Sequence, residues 1–332
     1  MSTPRRGSDA RRRLASPTLA MLPRVADSLS FLYLDMVRVV QDDTGVCAQI
    51  QVDAERTDLV YLPTAALSCL LLGPGVSITT PALNTLVRHG TSVVSVGSGG
   101  VRAYAGILPD SLTTHWLEQQ VACWSDSERR LDIAVRMYRM RFQDADLPET
   151  VTLDQLRGLE GQRMKTFYKI LAQQHGIGRF RRNYHPDQWE SQDPVNLALS
   201  AASACLYGIV HAALLALGLS PALGFVHTGK QHSFVYDIAD LYKAETTLPL
   251  AFALHNSNNP EQEARRRFRE DLRLLKLLPR IVRDVQSLLT PRSTDVTDED
   301  EPQEKRDIHL VHLWDPKAGA LPAGVNYAAR GE

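Results

Sequence analysis

Cysteine is scarce and unpatterned. Cys47, Cys69, Cys123 and Cys205 include no CxxC pair and no other metal-ligand spacing, so neither a structural zinc site nor a disulfide framework has support. Each is expected to be a buried apolar thiol. Long uninterrupted apolar runs are also missing. The most apolar stretch, Val195 to Leu219, is broken by Asn196, His211 and several small polar residues, short of the roughly 20 apolar residues that a bilayer crossing needs. The first residues, through Arg11-Arg12-Arg13, hold no apolar stretch of signal-peptide length. They read as a flexible basic arm over 1–21, with Met21 as a candidate shorter start. A cytoplasmic protein without a membrane partner is expected. The chain also lacks a charge excess: its formal net charge is -1, which excludes a globally basic nucleic-acid binder but not a local basic surface.

What is present is an ordinary globular composition, 44% apolar and 23% charged over 332 residues, enough for a substantial core. FLYLDMVRVV (31–40), the turn Asp42-Asp43-Thr44-Gly45 and VCAQIQV (46–52) predict two strands joined tightly. TSVVSV and VRAYA predict a second pair around Gly97-Ser98-Gly99-Gly100. Between them a short helix is expected from Pro81, with Thr80 as N-cap and Gly90 as stop. The remainder reads as helical: 113–142, 152–174 opening at Thr152-Leu153-Asp154, the Ala- and Leu-rich 196–217, and 261–289. The fold expected is therefore α+β, a small β-rich N-terminal domain (22–108) followed by a larger all-α domain (109–290) that carries a metal site. An acidic, Pro-rich flexible tail (291–332) is expected after it; 291–307 alone holds seven acidic against three basic residues.

The densest chemistry lies in GFVHTGKQHSFVYDIADLYK (224–243). Asp237 and Asp240 are three apart, so a helix puts both carboxylates on one face, while Phe234, Val235, Ile238 and Leu241 bury its other sides. A carboxylate beside such a core needs a partner, a hydrogen bond or a metal. His227 precedes Thr228-Gly229-Lys230, and imidazole with carboxylates suits several divalent ions. Glu160, between Gly158 and Gly161, is the best-placed further carboxylate; glycines inside a helix cost roughly 1 kcal/mol each relative to alanine, which close packing or a close ligand would justify. Each of these residues also fits a plain role, as a solvated or ion-paired side chain. From 161 to 182 there are six Lys or Arg residues and no acid: Arg163, Lys165, Lys169, Arg179, Arg181 and Arg182. Phe167, Tyr168, Phe180 and Tyr184 are interleaved, with Trp189 beyond, the pattern of a phosphate-neutralising, base-stacking surface or of a helix with one core face. Arg265, Arg266, Arg267, Arg269 and Arg273 form a second cationic face that also fits a plain solvated helix.

At these residues the sequence resembles a known family. QLRGLEGQRMKTFY, SAASACLYGIVHAAL and GFVHTGKQHSFVYDIADLYK are similar, in order and spacing, to the signature segments of the type I-E CRISPR adaptation integrase. LVRHGTSVVSVGSGGVRAYA and RRNYHPDQWE resemble two further segments, so the likeness runs from about Leu22 to Leu289. The resemblance implies metal ligands at Glu160, His227 and Asp240 for Mg²⁺ or Mn²⁺. It implies a supporting aspartate at Asp237, a tyrosine near the catalytic centre at Tyr207, and DNA-end contacts at Lys230 and Tyr236. Tyr184 and Trp189 match the segment that encloses a single-stranded end, Arg102 a phosphate-contacting arginine, and Arg163 and Lys165 continue the DNA-facing basic run. One departure is visible: where the family often has a tyrosine in the first strand to stack on the duplex end, the flanking residues place Asp35, and Tyr33 is the only tyrosine there.

The resemblance implies insertion of short captured duplexes into a CRISPR array, by attack of a 3'-hydroxyl on a backbone phosphate of repeat DNA. The substrate implied is double-stranded DNA with single-stranded 3' ends. The implied assembly is a homodimer, two copies of which are bridged by a dimer of a small ferredoxin-like adaptation subunit. In that chemistry His227, as a ligand, presents a neutral nitrogen and is no free proton shuttle. Two other readings of the same residues stay open: a structure-specific, metal-dependent endonuclease acting on branched or repair DNA, and a non-catalytic DNA-binding scaffold.

Overall fold

The computed structural model describes residues 18–21, 31–53, 56–100, 102–109, 112–141, 151–178, 180–182, 193–270, 273–291, 310–315 and 319–325. Strands dominate the N-terminal part: β1 (Thr18–Met21), β2 (Phe31–Asp35), β3 (Arg38–Gln41), β4 (Val46–Gln51), β5 (Thr57–Tyr61), β6 (Cys69–Leu72), β7 (Ser77–Ile78), β8 (Ser92–Val96) and β9 (Ala103–Ile107). They form a five-stranded sheet ordered β1-β2-β6-β8-β9 and a four-stranded sheet ordered β5-β4-β3-β7. The single strand expected over 31–40 is in fact two. Met36 takes a left-handed backbone (φ 54), and the chain leaves the larger sheet there to enter the smaller one. The hairpin expected at Asp42 to Gly45 is present between β3 and β4; Asp42 accepts from the Thr44 and Gly45 amides at 2.8 and 3.0 Å. β8 and β9 form the expected antiparallel pair. Helix α1 (Thr80–Arg88) starts one residue earlier than expected, with Thr79 as N-cap, and stops at Gly90 (φ 81).

The larger sheet is buried on both faces. Alternation along each strand sends Leu32, Leu34, Leu70 and Val93 toward the small sheet and α1, where they meet Val39, Val46, Ala48, Ala82 and Leu86. It sends Phe31, Tyr33, Cys69, Leu71, Val94 and Val96 the other way, into one continuous core with the helices. Double-sided burial accounts for the unbroken apolar runs FLYL and CLLL, which show no polar alternation.

The C-terminal part is helical: α2 (His115–Ser125), α3 (Ser127–Arg141), α4 (Leu153–Gln174), α5 (Pro194–Ala216), α6 (Ser233–Asp240), α7 (Thr247–Ala253), α8 (Pro260–Glu270) and α9 (Arg273–Leu289). The helix expected over 113–142 breaks at Asp126, whose carboxylate caps α3 by accepting from Glu128 and Arg129. Thr152 and Gln155 form a capping box that starts α4. α5 is the central helix, buried around most of its circumference. Among the described residues it alone is long and apolar enough to cross a membrane, and 72% of its most apolar stretch is buried inside the fold. All four cysteines are buried thiols, as expected. Two stretches read as flexible contain paired strands: Thr18–Met21 joins β2, and β10 (Leu310–Asp315) pairs with β11 (Gly319–Val325) in the tail.

Candidate active site

The loop 224–230 is held from three sides before it presents any chemistry. Trp124 on α2 donates to the Gly224 carbonyl (3.1 Å), Arg130 on α3 to the Phe225 carbonyl (3.2 Å), and Arg157 on α4 to the Val226 carbonyl (3.1 Å). Gly224 permits this packing, because a Cβ there would meet the His227 carbonyl and the Ser233 backbone. From below, the fully buried Asp237 on α6 gathers the loop amides. Its Oδ2 accepts from Phe225 (2.5 Å) and Val226 (3.0 Å), and its Oδ1 from the His227 amide (2.9 Å). The same Oδ1 lies 2.7 Å from His227 Nδ1. That contact fixes the imidazole and leaves Nε2 as the nitrogen available to the cavity. The hydrogen bond to Asp237 is also the main reason the His227 pKa is raised, with burial opposing it.

The cavity beside His227 is lined by Tyr138, Arg141, Asp237 and Asp240. Arg141, almost buried at the end of α3, lies with Nη1 2.5 Å from Glu160 Oε1 and 3.7 Å from Asp240 Oδ2. Tyr138, one turn earlier, donates to Glu160 Oε2 at 2.8 Å. Burial first, and then this hydrogen bond, push the Tyr138 phenol up, so it is a permanent donor. On the far side of Asp240, Lys243 Nζ stands 2.5 Å from Oδ1 and 5.0 Å from the centre of the Tyr207 ring. Burial alone would lower the Lys243 ammonium; the Asp240 carboxylate and Tyr207 outweigh it and push it up. Tyr207 in turn meets Tyr236 edge-on at 5.0 Å, and Tyr236 meets His227 at 5.8 Å.

The structure thus brings together Glu160, Tyr207, His227, Tyr236, Asp237 and Asp240. The last two line one face of α6, as their spacing required. The expected closed ligand set, however, is not formed. Among the described residues no three His, Cys, Asp or Glu side chains stand close enough to hold an ion, because the Arg141 guanidinium lies between Glu160 and Asp240 while Asp237 ties His227. Arg141, Tyr138 and Lys243 belong to this cluster and were not singled out from the sequence. Lys243 carried one usable signal, its three-residue spacing from Asp240.

The remaining candidates lie around this centre. Lys230 is exposed, its backbone locked to Ser233. Arg163 and Lys165 are exposed on α4 beyond Glu160. Gly158 and Gly161 face open space, so close packing does not explain them. Phe167, Tyr168 and Phe180 pack against the core rather than standing out to meet bases. Arg102 is exposed at the start of β9, with a strained left-handed backbone (φ 94). Tyr184 and Trp189 lie outside the described residues. Arg265 and Arg267 pair with Glu261 and Glu263 one turn away, each at 3.6 Å, so those two cations have partners on their own helix. Tyr33 is buried, donating to Asp35 (3.0 Å) and accepting from the Gly99 amide (2.7 Å); it is part of the sheet wall, not a stacking platform.

Comparison with known proteins places the chain in one family. Residues 137–276, which span Tyr138, Glu160, His227 and Asp240, match the family model described as CRISPR associated protein Cas1. The chain is 39% identical over 311 residues to a CRISPR-associated endonuclease Cas1 of Thermus thermophilus, covering 93% of each chain. It is 37% identical over 265 residues to the Escherichia coli endonuclease Cas1, covering 79% of this chain and 85% of the relative. The solved structure of a TtCas1–DNA complex superposes with a TM-score of 0.73 at 40% identity, over 82% of this chain and 100% of that one. A casposase bound to its integration product shares the fold at 14% identity and a TM-score of 0.54. With relatives of this identity matched over nearly their whole length, the chain belongs to the Cas1 family of CRISPR-associated proteins.

Proposed function

We propose that this protein is a metal-dependent DNA integrase of CRISPR adaptation, of the type I-E kind, inserting short captured duplexes into repeat DNA. The observation that carries the reading is the convergence of Glu160 and Asp240 on one cationic group, with His227 on the same cavity. Two carboxylates and one imidazole are a donor set that fits Mg²⁺ or Mn²⁺. Glu160, His227 and Asp240 would hold that ion, which when bound supplies charge stabilisation at the attacked phosphate and orients the attacking 3'-hydroxyl.

The chain's own residues prepare this chemistry. Asp237 engages His227 Nδ1, so the imidazole presents Nε2 to the cavity. Lys243 pairs with Asp240, and Tyr138 holds one oxygen of Glu160 by a hydrogen bond. Lys230, exposed at the rim, adds positive charge where a phosphate approaches. Arg163, Lys165 and Arg102 are placed to neutralise the DNA backbone, with Tyr236, Tyr184 and Trp189 as contacts to the single-stranded end. The bond-making step is a transesterification: the DNA 3'-oxygen bonds to phosphorus while the opposite P–O bond breaks and its oxygen leaves as the new 3'-hydroxyl. The proposed assembly is a homodimer, two of which a dimer of a small ferredoxin-like subunit holds at a fixed spacing, acting in the cytoplasm.

The test is transfer of a labelled short duplex into a supercoiled plasmid bearing a repeat array, with the companion subunit and Mn²⁺. Wild-type protein is expected to label the plasmid, and Glu160→Ala to lose at least about 100-fold of that activity, the scale of removing a principal transition-state contact. Cleavage without joining would replace the integrase reading with the endonuclease one. Metal-independent DNA binding with neither product would favour the scaffold.

A further inference from the structure

Arg141 is a buried cation in an unusual place. It is not paired with one acid but set between two, Glu160 and Asp240, from different helices, and its side chain is only 9% exposed. Guanidinium suits that position, since its planar fork meets more than one carboxylate. The same two carboxylates are those proposed above to share a divalent ion, and a guanidinium and an ion cannot both occupy the space between them.

Taking the ion site above as given, we propose that Arg141 is an internal placeholder for the divalent ion. In the metal-free protein it holds Glu160 and Asp240 against their mutual repulsion, and ion binding displaces it from between them. Arg141 is thus a positioning residue, not a catalytic one, and it sets the ion affinity by competing for the ligands. The displaced guanidinium has an exit, because Arg141 lines the open cavity that His227 also borders. A protein built this way keeps its active site ordered without metal, yet binds the ion more weakly than its donors alone would allow.

The experiment is a Mn²⁺ titration of the full-length protein followed by the loss of the free-ion paramagnetic resonance signal, with thermal denaturation in chelator alongside. Wild type, Arg141→Met, Arg141→Lys and Glu160→Gln are compared. Arg141→Met is expected to bind Mn²⁺ about tenfold more tightly than wild type, equivalent to about 1.4 kcal/mol, and to melt lower in chelator. Its melting temperature should then rise more on adding Mn²⁺. Arg141→Lys, whose shorter ammonium reaches one carboxylate at a time, is expected between the two, and it carries the test if the methionine variant does not fold. Glu160→Gln should bind poorly. Wild-type binding that is unchanged or weakened in both Arg141 variants would overturn the placeholder role and leave Arg141 a permanent bridge. No Mn²⁺ binding by any of the four proteins would overturn the ion site itself, and the placeholder with it.

Discussion

Asp237 is the residue on which the site geometry depends most. A fully buried carboxylate is costly unless its lone pairs are used, and here three loop amides and one imidazole nitrogen use them. Asp237→Ala would leave those amides unpaired, that of Phe225 in the interior. At about 1–3 kcal/mol for each unsatisfied donor, the variant is expected to lose on the order of 3 kcal/mol or more, seen as a lower melting temperature, together with strand transfer. Unchanged stability would mean that the loop does not hang on this carboxylate. Little of this was legible beforehand. The spacing of Asp237 and Asp240 announced a shared face, but their different tasks depend on what lies across that face. Arg141 sits in RMR, a triplet that reads as solvated surface; only the packing of α3 against α4 makes it a buried bridge. Tyr138, likewise, gives no sign in sequence that a carboxylate 22 positions on will be its partner.

Among the elements, α5 joins the catalytic half to the sheet. His211, on its C-terminal half, is in edge contact with His232 at 4.9 Å and is held by the Ala103 backbone of β9. Burial first, and the neighbouring His232 second, hold its pKa below the ordinary imidazole value. The unfolded chain therefore takes up a proton on this residue at a higher pH than the native one does. The neutral side chain contributes fully above about pH 6.5, the unfolded imidazole value, and the contribution is lost as pH falls through the lower native value. Between about pH 7.5 and pH 5.5 the melting temperature is accordingly expected to fall, and to fall less in His211→Gln; equal slopes for the two proteins would remove His211 from the account. At this scale the sequence spoke clearly wherever periodicity was interrupted by punctuation. The opening at Thr152-Leu153-Asp154 and the glycines between β8 and β9 gave correct elements. It was silent at Met36, where strand-forming residues on either side hid a change of sheet, and at β6, whose CLLL carries no alternation because both of its faces are buried.

For the whole molecule, the five-stranded sheet is a wall shared by two cores, with Leu70 on one side and Cys69 and Leu71 on the other. Neither core closes without it. Heat or denaturant is expected to give one transition, with far-UV circular dichroism and tryptophan fluorescence coincident; Trp116 and Trp124 sit on α2 in the helical part. Two separated transitions would mean that the strand-rich and helical parts hold together independently. The β-rich to α-helical order was readable from composition and period, whereas the common wall was not, because it is a property of which strand faces which neighbour.

The four cysteines, which chemistry leaves idle, acquire a use from where they are buried. Cys47 lies in β4 of the small sheet, Cys69 in β6 of the shared wall, Cys123 in α2 and Cys205 in the central helix. Burial holds the Cys69 thiol far above its ordinary titration range, so it stays inert while its layer is shut. Each layer thus carries its own silent clock. The sequence in which an alkylating reagent reaches the four sulfurs would write out the order in which the layers open.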